Sequence, residues 1–450
     1  MESGLKKRYG FWTAVAMVVG IVIGSGVFFK AEKVLTATGG DMKLGIIAWG
    51  IGGAIMVACA YAFALLAAKY EKVNGIVDYA EAAFGQTYGY MVGWFMTTIY
   101  YPSLTGILAW VSARYTSVLL GFQDPITGTE TYVIAAVYLV GAYALNALSP
   151  VLSGKFQVST TAIKLVPLAL VSIVGFVGGL WNGQLLQNFA PTVSAIAVTK
   201  NPLLTSVVAT AFAYEGWIIA TSINSEIKDS KKNLPKALLF GTIAIVIIYI
   251  AYFVGISGAM PTSEFMAGGE GAVKIAFTKL LGQIGGSGLF VFVVISCLGT
   301  LNGLMLGCTR GIYALAARDM GPKPQMFKQV DSYSNMPTNS AVLGLSLACL
   351  YLFMWYGNFA GWWGIFLDVS ELPIVTMYAL YIPIFLWMMK SMTELGAVKR
   401  YIAPALAIAG SVFMIIAAFI SHGIGVVIYM GMFTVIMGIG LLLKGKNKAQ

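Results

Sequence analysis

The sequence predicts an all-α, polytopic membrane protein, and three observations carry that expectation. Of 450 residues, 58% are hydrophobic and only 10% are charged, with a mean hydropathy of +0.82. A soluble domain of this size cannot bury that much apolar surface. Apolar runs of about 20 residues, the length that crosses a bilayer, recur along the whole chain. Strict alternation of apolar and polar residues is absent, which speaks against an outer-membrane barrel.

Hydropathy places about twelve spans, at 11–37, 43–69, 87–120, 131–148, 155–181, 202–226, 235–258, 285–317, 338–356, 360–388, 403–420 and 423–443. Lys6-Lys7-Arg8 precedes an apolar run, as in a signal peptide. The run is long and no small-residue cleavage site follows, so it reads as an uncleaved first span. The longest polar connections, 182–201, 259–284 and 318–337, are too short for a separate soluble domain. The stretch VDYAEAAFG within 76–86 suits a short amphipathic segment at the membrane surface.

An even number of spans puts both termini on one side. About 19 of the 28 Lys and Arg then fall on that side and about 6 on the other. Arg114, Lys164 and Arg310 lie within spans. The positive-inside rule predicts cytoplasmic termini in a multi-pass cell-membrane protein. The net charge of +10 is thus a topology signal and needs no nucleic-acid partner, although runs such as Lys231-Lys232 and Lys444-Gly445-Lys446 suit contact with anionic lipid. The cysteines, Cys59, Cys297, Cys308 and Cys349, sit in apolar segments without a CxxC pair, so they read as packing residues, not a disulfide framework or a metal site.

Two spans carry interruptions. The first reads GIVIGSGVFF, with Gly24-Ser25-Gly26 in its middle, and the sixth reads AFAYEGWIIA, with Glu215-Gly216 in its middle. They lie about 190 residues apart, each in the first span of a five-span block. Five is odd, so the second block enters the membrane in the opposite sense. Glycines in a span also serve close helix packing. Interruptions at matching positions of two halves point instead to a transporter site built from inverted repeats. An unwound turn exposes N–H and C=O groups that lipid does not tolerate but a buried cavity does. A helix restarting at Val27 offers free N–H groups and a positive dipole end, which suit a carboxylate. Stubs ending near Ile23 and Phe212 offer carbonyls, which suit an ammonium. Together they match the zwitterionic backbone of an α-amino acid.

At these residues the sequence resembles the amino acid–polyamine–organocation transporters, and within them the bacterial relatives of the L-type amino acid transporter family. The resemblance spans nearly the whole chain. Its motifs are VVGIVIGSGVFF, AFAYEGW, SEIKDSKKNLPKAL and SCLGTLNGLMLGCTRGIYALAARD. It implies twelve helices in a LeuT-type five-plus-five inverted repeat: one transporter domain over 1–450, with repeats over 11–181 and 202–388 and two additional spans over 403–443. Carried over by position, it implies that the carboxylate meets the backbone N–H groups of Ser25, Gly26 and Val27 next to Gly24. The amino group would meet carbonyls of Val22 or Ile23 and of Phe212, Ala213 and Glu215. Glu215 stands where the family often has aspartate, and Ser230 where it usually has proline. Animal members that bind a heavy subunit use a cysteine in the loop after the third span; GFQDPITGTE has none, so no disulfide-linked heavy subunit is expected.

Lys164 in the fifth span lies nine residues beyond Lys155, about 13 Å along a helix. A lysine stem of about 6 Å cannot snorkel from there. A charge at that depth costs at least ~3 kcal/mol unless it is paired or hydrated. The resemblance implies that this lysine links the first and eighth spans, through the Gly20–Ile23 backbone and Ser296. In sodium-coupled relatives of the fold a Na⁺ ion lies in this region, so an ammonium there argues against sodium coupling. Tyr249 and Asn302 suit a hydrogen-bond network near the site, or plain interhelical bonds. Arg310 is expected to pair or snorkel, and Phe212 suits an occluding lid. Glu215 reads as a protonatable group, a side-chain selector, or a carboxylate turned to an internal donor; the sequence leaves all three open. Trp362-Trp363 and Tyr100-Tyr101 suit interfacial belts or packing.

No enzyme is expected. The single histidine, His422, sits in a short external loop, and there is no HExxH, phosphate loop or Ser/His/Asp arrangement. No span carries the polar stripe of a channel. The expected function is alternating-access exchange of small neutral L-amino acids such as alanine, serine, cysteine or glycine, without cofactor or metal. Proton-coupled symport, with Glu215 or Lys164 titrating, and transport of cationic amino acids or amines are the alternatives.

Overall fold

The computed structural model describes residues 10–70, 75–190, 200–219, 221, 227–332 and 336–445. Lys6-Lys7-Arg8, Lys446 and the start of the motif after the sixth span, Ser225-Glu226, lie outside the described residues.

The chain is built of helices. In order they are α1 Phe11–Val22, α2 Gly26–Ala37, α3 Met42–Lys69, α4 Ile76–Phe95, α5 Tyr101–Leu120, α6 Thr129–Leu148, α7 Pro150–Ile163, α8 Leu165–Leu170, α9 Phe176–Trp181 and α10 Gln184–Phe189. There follow α11 Pro202–Ala213, α12 Ser230–Ser257, α13 Thr262–Ala267, α14 Ala272–Ala316, α15 Pro324–Phe327, α16 Thr338–Phe359, α17 Leu372–Ser391, α18 Ala403–His422 and α19 Ile424–Leu443. Single π turns join α4 to α5 at Met96–Tyr100 and α8 to α9 at Val171–Gly175.

Among the described residues, ten helical stretches are long and apolar enough to cross a membrane. They coincide with ten of the expected twelve spans. The other two are helical but differ in kind. The first is split into α1 and α2, each only 12 residues long. The third runs through the π turn into α5, where Ser103, Thr105, Ser112 and Arg114 dilute the apolar sequence. Exposed apolar side chains cover the outer faces of these helices, for instance Val133, Val137 and Val140 on α6 and Val435, Ile439 and Leu442 on α19. Such faces are stable against lipid tails rather than water.

Element ends explain the remaining differences. The segment at 76–86 is helical up to Phe84, where Phe84 and Gly85 leave helical geometry. Helix α12 begins at Ser230, earlier than expected, and carries Pro235 inside it as its sixth residue. The tenth span was expected from residue 360, yet α17 begins only at Leu372. Gly361 and Gly364 adopt positive φ there, and Trp362 and Trp363 stand half exposed in the connection, as an interfacial position requires.

The chain forms two compact units, each drawn from separated stretches: residues 1–79, 161–293 and 374–421 in the first, and 80–160, 294–373 and 422–450 in the second. In the first, α12 packs along α3 and α1, and α11 packs on α2 and α3. Its core is aromatic: Trp49 meets Tyr214, Tyr249 and Phe253, while Phe63 meets Tyr79, Trp217, Tyr381 and Phe385. In the second, α5 packs with α6 and α16, Trp110 stacks on Phe359, and Trp94 Nε1 donates to Ile436 O at 2.9 Å.

The approach to α17 is held by buried polar groups of the second unit. Asp368 Oδ1 accepts from Ser370 N at 2.9 Å, Ser370 Oγ at 2.5 Å and Glu371 N at 3.0 Å. Glu371 Oε2 lies 3.0 Å from Nε2 of His422 at the end of α18. Asp368 thus acts as a cap for a helix start whose N–H groups have no intrahelical acceptor. Replacing it with alanine is expected to destabilise the protein by about 1–2 kcal/mol, read as a lower thermal midpoint in detergent, with Asp368→Asn close to wild type.

Candidate functional site between two broken helices

Both interruptions are real breaks, and both lie in the first unit. Helix α1 stops at Val22. Ile23 is extended, with φ −67° and ψ 104°, and its N–H closes the helix on Val19 O at 2.9 Å. Gly24 and Ser25 bend the chain, and α2 restarts at Gly26, one residue before the expected Val27. The Ser25 side chain does not cap α2. The first N–H groups of α2 therefore have neither an intrahelical partner nor that side-chain cap. Val22, Ile23, Ser25, Gly26 and Val27 are all buried.

Helix α11 stops at Ala213. A turn over 214–216 follows, in which Gly216 takes φ +106°, a conformation that excludes a side chain. A single 3₁₀ turn at 217–219 then closes with Ile219 N on Gly216 O at 3.0 Å.

The two breaks touch. A Cβ on Gly26 would lie 2.5 Å from Ala213 Cα and 3.1 Å from Phe212 O, so only glycine lets the start of α2 rest on the end of α11. The positive end of one helix dipole thereby lies beside the negative end of another.

The carbonyls freed by the breaks have specific partners. In an unbroken α1, Gly20 O would accept from Gly24 N and Val22 O from Gly26 N. Instead, Lys164 Nζ donates to Gly20 O at 2.5 Å. Lys164 is 1% exposed and sits in the turn between α7 and α8. Thr161, one turn earlier on the same face, closes on Gly20, where a Cβ would collide with its methyl. The Tyr249 hydroxyl on α12 lies 3.1 Å from Val22 O and 3.1 Å from Ala213 O, linking the carbonyl ends of both broken helices. Tyr249 is fixed by a stack on Tyr214 and an edge contact with Trp49, and Tyr214 Oη donates to Trp49 O at 2.9 Å.

The other residues expected at the site behave differently. Ser296, in α14, is buried, and its hydroxyl makes no hydrogen bond among the described residues. Asn302, also in α14, belongs to a network in the second unit: Asn146 Nδ2 donates to its Oδ1 at 2.9 Å, Ser153 Oγ lies 3.1 Å from the same oxygen, and its own Nδ2 donates to Gln157 Oε1 at 3.3 Å. Asn302 is a satisfied interhelical polar group. Glu215 is half-buried, in electrostatic range of the Cys59 thiol and the Tyr378 phenol. Arg310 is exposed.

One residue escaped the sequence reading. Lys30 on α2 is 0% exposed, and its Nζ lies 5.0 Å from the centroid of the Phe212 ring. Counting charges by side of the membrane absorbed it among loop cations. Its spacing of four residues from Gly26 was the available signal, since positions i and i+4 share a helix face.

A multi-pass helical protein whose main-chain groups are exposed at two apposed helix breaks is built as a membrane transporter. The chain belongs to the amino acid permease family, whose profile matches residues 9–442. It is an amino acid transporter of that family with a LeuT-like fold, not an enzyme. Among its relatives, the serine/threonine exchanger SteT of Bacillus subtilis is 28% identical over 421 residues, covering 92% of this chain and 91% of the relative. The human cystine/glutamate transporter is 26% identical, covering 78% of this chain and 68% of its own length. The mouse Asc-type amino acid transporter 1 is 28% identical, covering 68% and 57%.

Tyr249→Phe removes the hydroxyl shared by two buried carbonyls. The expected loss is about 1–3 kcal/mol, measured as a drop in thermal stability of the substrate-free protein. A phenylalanine variant as stable as wild type would mean that the hydroxyl is not needed there.

Proposed function

We propose that this protein is a sodium-independent exchanger of small neutral L-amino acids, working by alternating access. The observation that carries the reading is the Tyr249 hydroxyl between Val22 O and Ala213 O, beside the uncapped start of α2 at Gly26. One end of this arrangement suits a cation and the other an anion.

The substrate carboxylate binds the N–H groups of Ser25, Gly26 and Val27, where the α2 dipole favours negative charge. The ammonium binds carbonyls at the ends of α1 and α11, those of Val22, Ile23, Phe212 and Ala213, with the Glu215 carbonyl in the following turn. It brings three donors in place of the single one that Tyr249 supplies. Phe212, at the end of α11, serves as the occluding side chain. Because recognition uses the main chain common to all α-amino acids, side-chain size and charge decide selectivity. The name of the Bacillus relative, a serine/threonine exchanger, supports small neutral substrates.

Lys164 holds the broken end of α1 with a fixed ammonium, which supports transport without sodium and gives the lysine a role in setting the balance of open states. Tyr249 helps hold the two broken helices together. The repeats run over 11–181 and 202–388, with 403–443 added outside them. Both termini are cytoplasmic and the protein resides in the cell membrane, as the distribution of Lys and Arg supports. The connection after α5 closes on itself: Asp124 Oδ1 accepts from Ile126 N and Thr127 N at 3.1 and 2.8 Å. Hydrogen bonds, first from the Thr127 hydroxyl, hold the Asp124 carboxyl below its ordinary range. This loop carries no cysteine, which supports a protein without a disulfide-linked heavy subunit.

Counterflow in proteoliposomes tests the reading. Vesicles preloaded with unlabelled serine should take up labelled serine, alanine or glycine without Na⁺ and without a pH gradient. Uptake driven by a pH gradient into empty vesicles would replace exchange with proton coupling. Conductance without saturable counterflow would remove the transporter reading of the site. Lys164→Met should slow turnover by at least about tenfold while serine binding changes less, the pattern of a lost conformational contact. Unchanged turnover would remove the role given to the lysine.

A further inference from the structure

We propose that the exposed face of α12 at its Lys232–Lys236 turn binds one phospholipid with an anionic headgroup, seated beside the start of α1. The inference goes beyond the transport reading and does not depend on it.

Helix α12 buries Leu234, Ala237, Leu238 and Gly241 on one side. At about 100° per residue, the opposite side carries Lys232, Lys236, Phe240, Ile243 and Ile247 in one stripe. All five are exposed, the three apolar ones by 59%, 41% and 63%. Along the helix the stripe changes character once, from two lysines to three apolar side chains. From Lys236 to Ile247 it runs roughly 16 Å, close to the hydrocarbon depth of one leaflet. A phospholipid presents the same order over the same length, a phosphate followed by acyl chains.

Neither lysine forms an ion pair among the described residues, whereas Lys69, Lys279 and Lys328 lie 2.6, 2.6 and 2.9 Å from a carboxylate oxygen. Asp229, just before the helix, is exposed and pairs with neither. Like charges at positions i and i+4 repel, and an anion held between them relieves that repulsion. Helix α1 completes the setting. Phe11 packs edge-on against Phe240 at 6.1 Å and against Trp12 at 5.1 Å, and Trp12 is 79% exposed. An exposed indole on a membrane helix settles at headgroup level. Phe240 lies one turn from Lys236, so the indole and the two ammoniums flank the depth of a lipid phosphate. The fold thereby separates two residues that the sequence offers as one basic run: Lys231 lies about 100° around the helix from Lys232, off the stripe.

That separation supplies the test. The full-length protein, in a neutral detergent at low salt, is mixed with equal amounts of dioleoyl phosphatidylglycerol and dioleoyl phosphatidylcholine, and bound lipid is counted by native mass spectrometry. Wild type should favour phosphatidylglycerol by at least about tenfold. The double variant Lys232→Gln/Lys236→Gln should fall to about threefold or less, and Lys232→Arg/Lys236→Arg should keep the preference. Lys231→Gln, which removes the same charge one residue away, should stay within about twofold of wild type. Equal binding of the two lipids by wild type overturns the proposal, as does a preference that survives in the glutamine double variant. An equal loss from Lys231→Gln and from Lys232→Gln overturns it too, because the attraction would then be diffuse charge rather than a seat on one face. Glycerol 3-phosphate, at ionic strength matched with chloride, should not displace the lipid at millimolar concentration; displacement would make this a site for free phosphate esters and overturn the assignment to lipid.

Discussion

A bilayer supplies no hydrogen bonds to a broken helix, and that constraint organises the first unit of this protein. Each break releases main-chain groups that must be met from another helix. Gly20 O is met by Lys164, arriving from the turn after α7, and Val22 O and Ala213 O are met by Tyr249 on α12. The packing of α12 on α1 and of α11 on α2 and α3 positions those donors, and the aromatic group around Trp49 holds Tyr249 in place. Remove the breaks, and neither a buried lysine nor a phenol between two carbonyls would have a physical reason to be there.

The same constraint separates two kinds of buried polar residue. Asn146, Ser153, Gln157 and Asn302 satisfy one another with side chains, in the manner of ordinary interhelical bonds. Lys164 and Tyr249 satisfy backbone that regular helix would have satisfied for nothing. Only the second kind marks a place where the chain gives up its own hydrogen bonds, as sites for small charged ligands do.

Much of this was legible in the sequence, for identifiable reasons. Apolar runs are governed by bilayer thickness, so ten of the expected spans fall where helices stand. Gly24-Ser25-Gly26 and Glu215-Gly216 announce their breaks because glycine has no other use amid strong helix formers except packing. Lys164 stood out by its depth. Other features depend on geometry that hydropathy does not encode. The late start of α17 follows from two positive-φ glycines and the Asp368 cap, while the surrounding tryptophans keep the local sequence apolar. Asn302 carries the same letter whether it serves a site or a neighbouring asparagine. Lys30 lies close enough to the end of the first span to count as a surface cation; only the fold shows that it is buried, with its ammonium near the Phe212 ring.

The Tyr249 bridge has one further consequence. A phenol owns a single proton, and two carbonyl oxygens stand equidistant from it at 3.1 Å. That one proton is shared between the two oxygens, so neither receives a full hydrogen bond of its own. The resting junction is thus a frustrated, two-fold degenerate contact, deliberately short of protons. A guest bearing several of them relieves that shortage at both helix ends at once, so the empty transporter is poised to welcome what it carries.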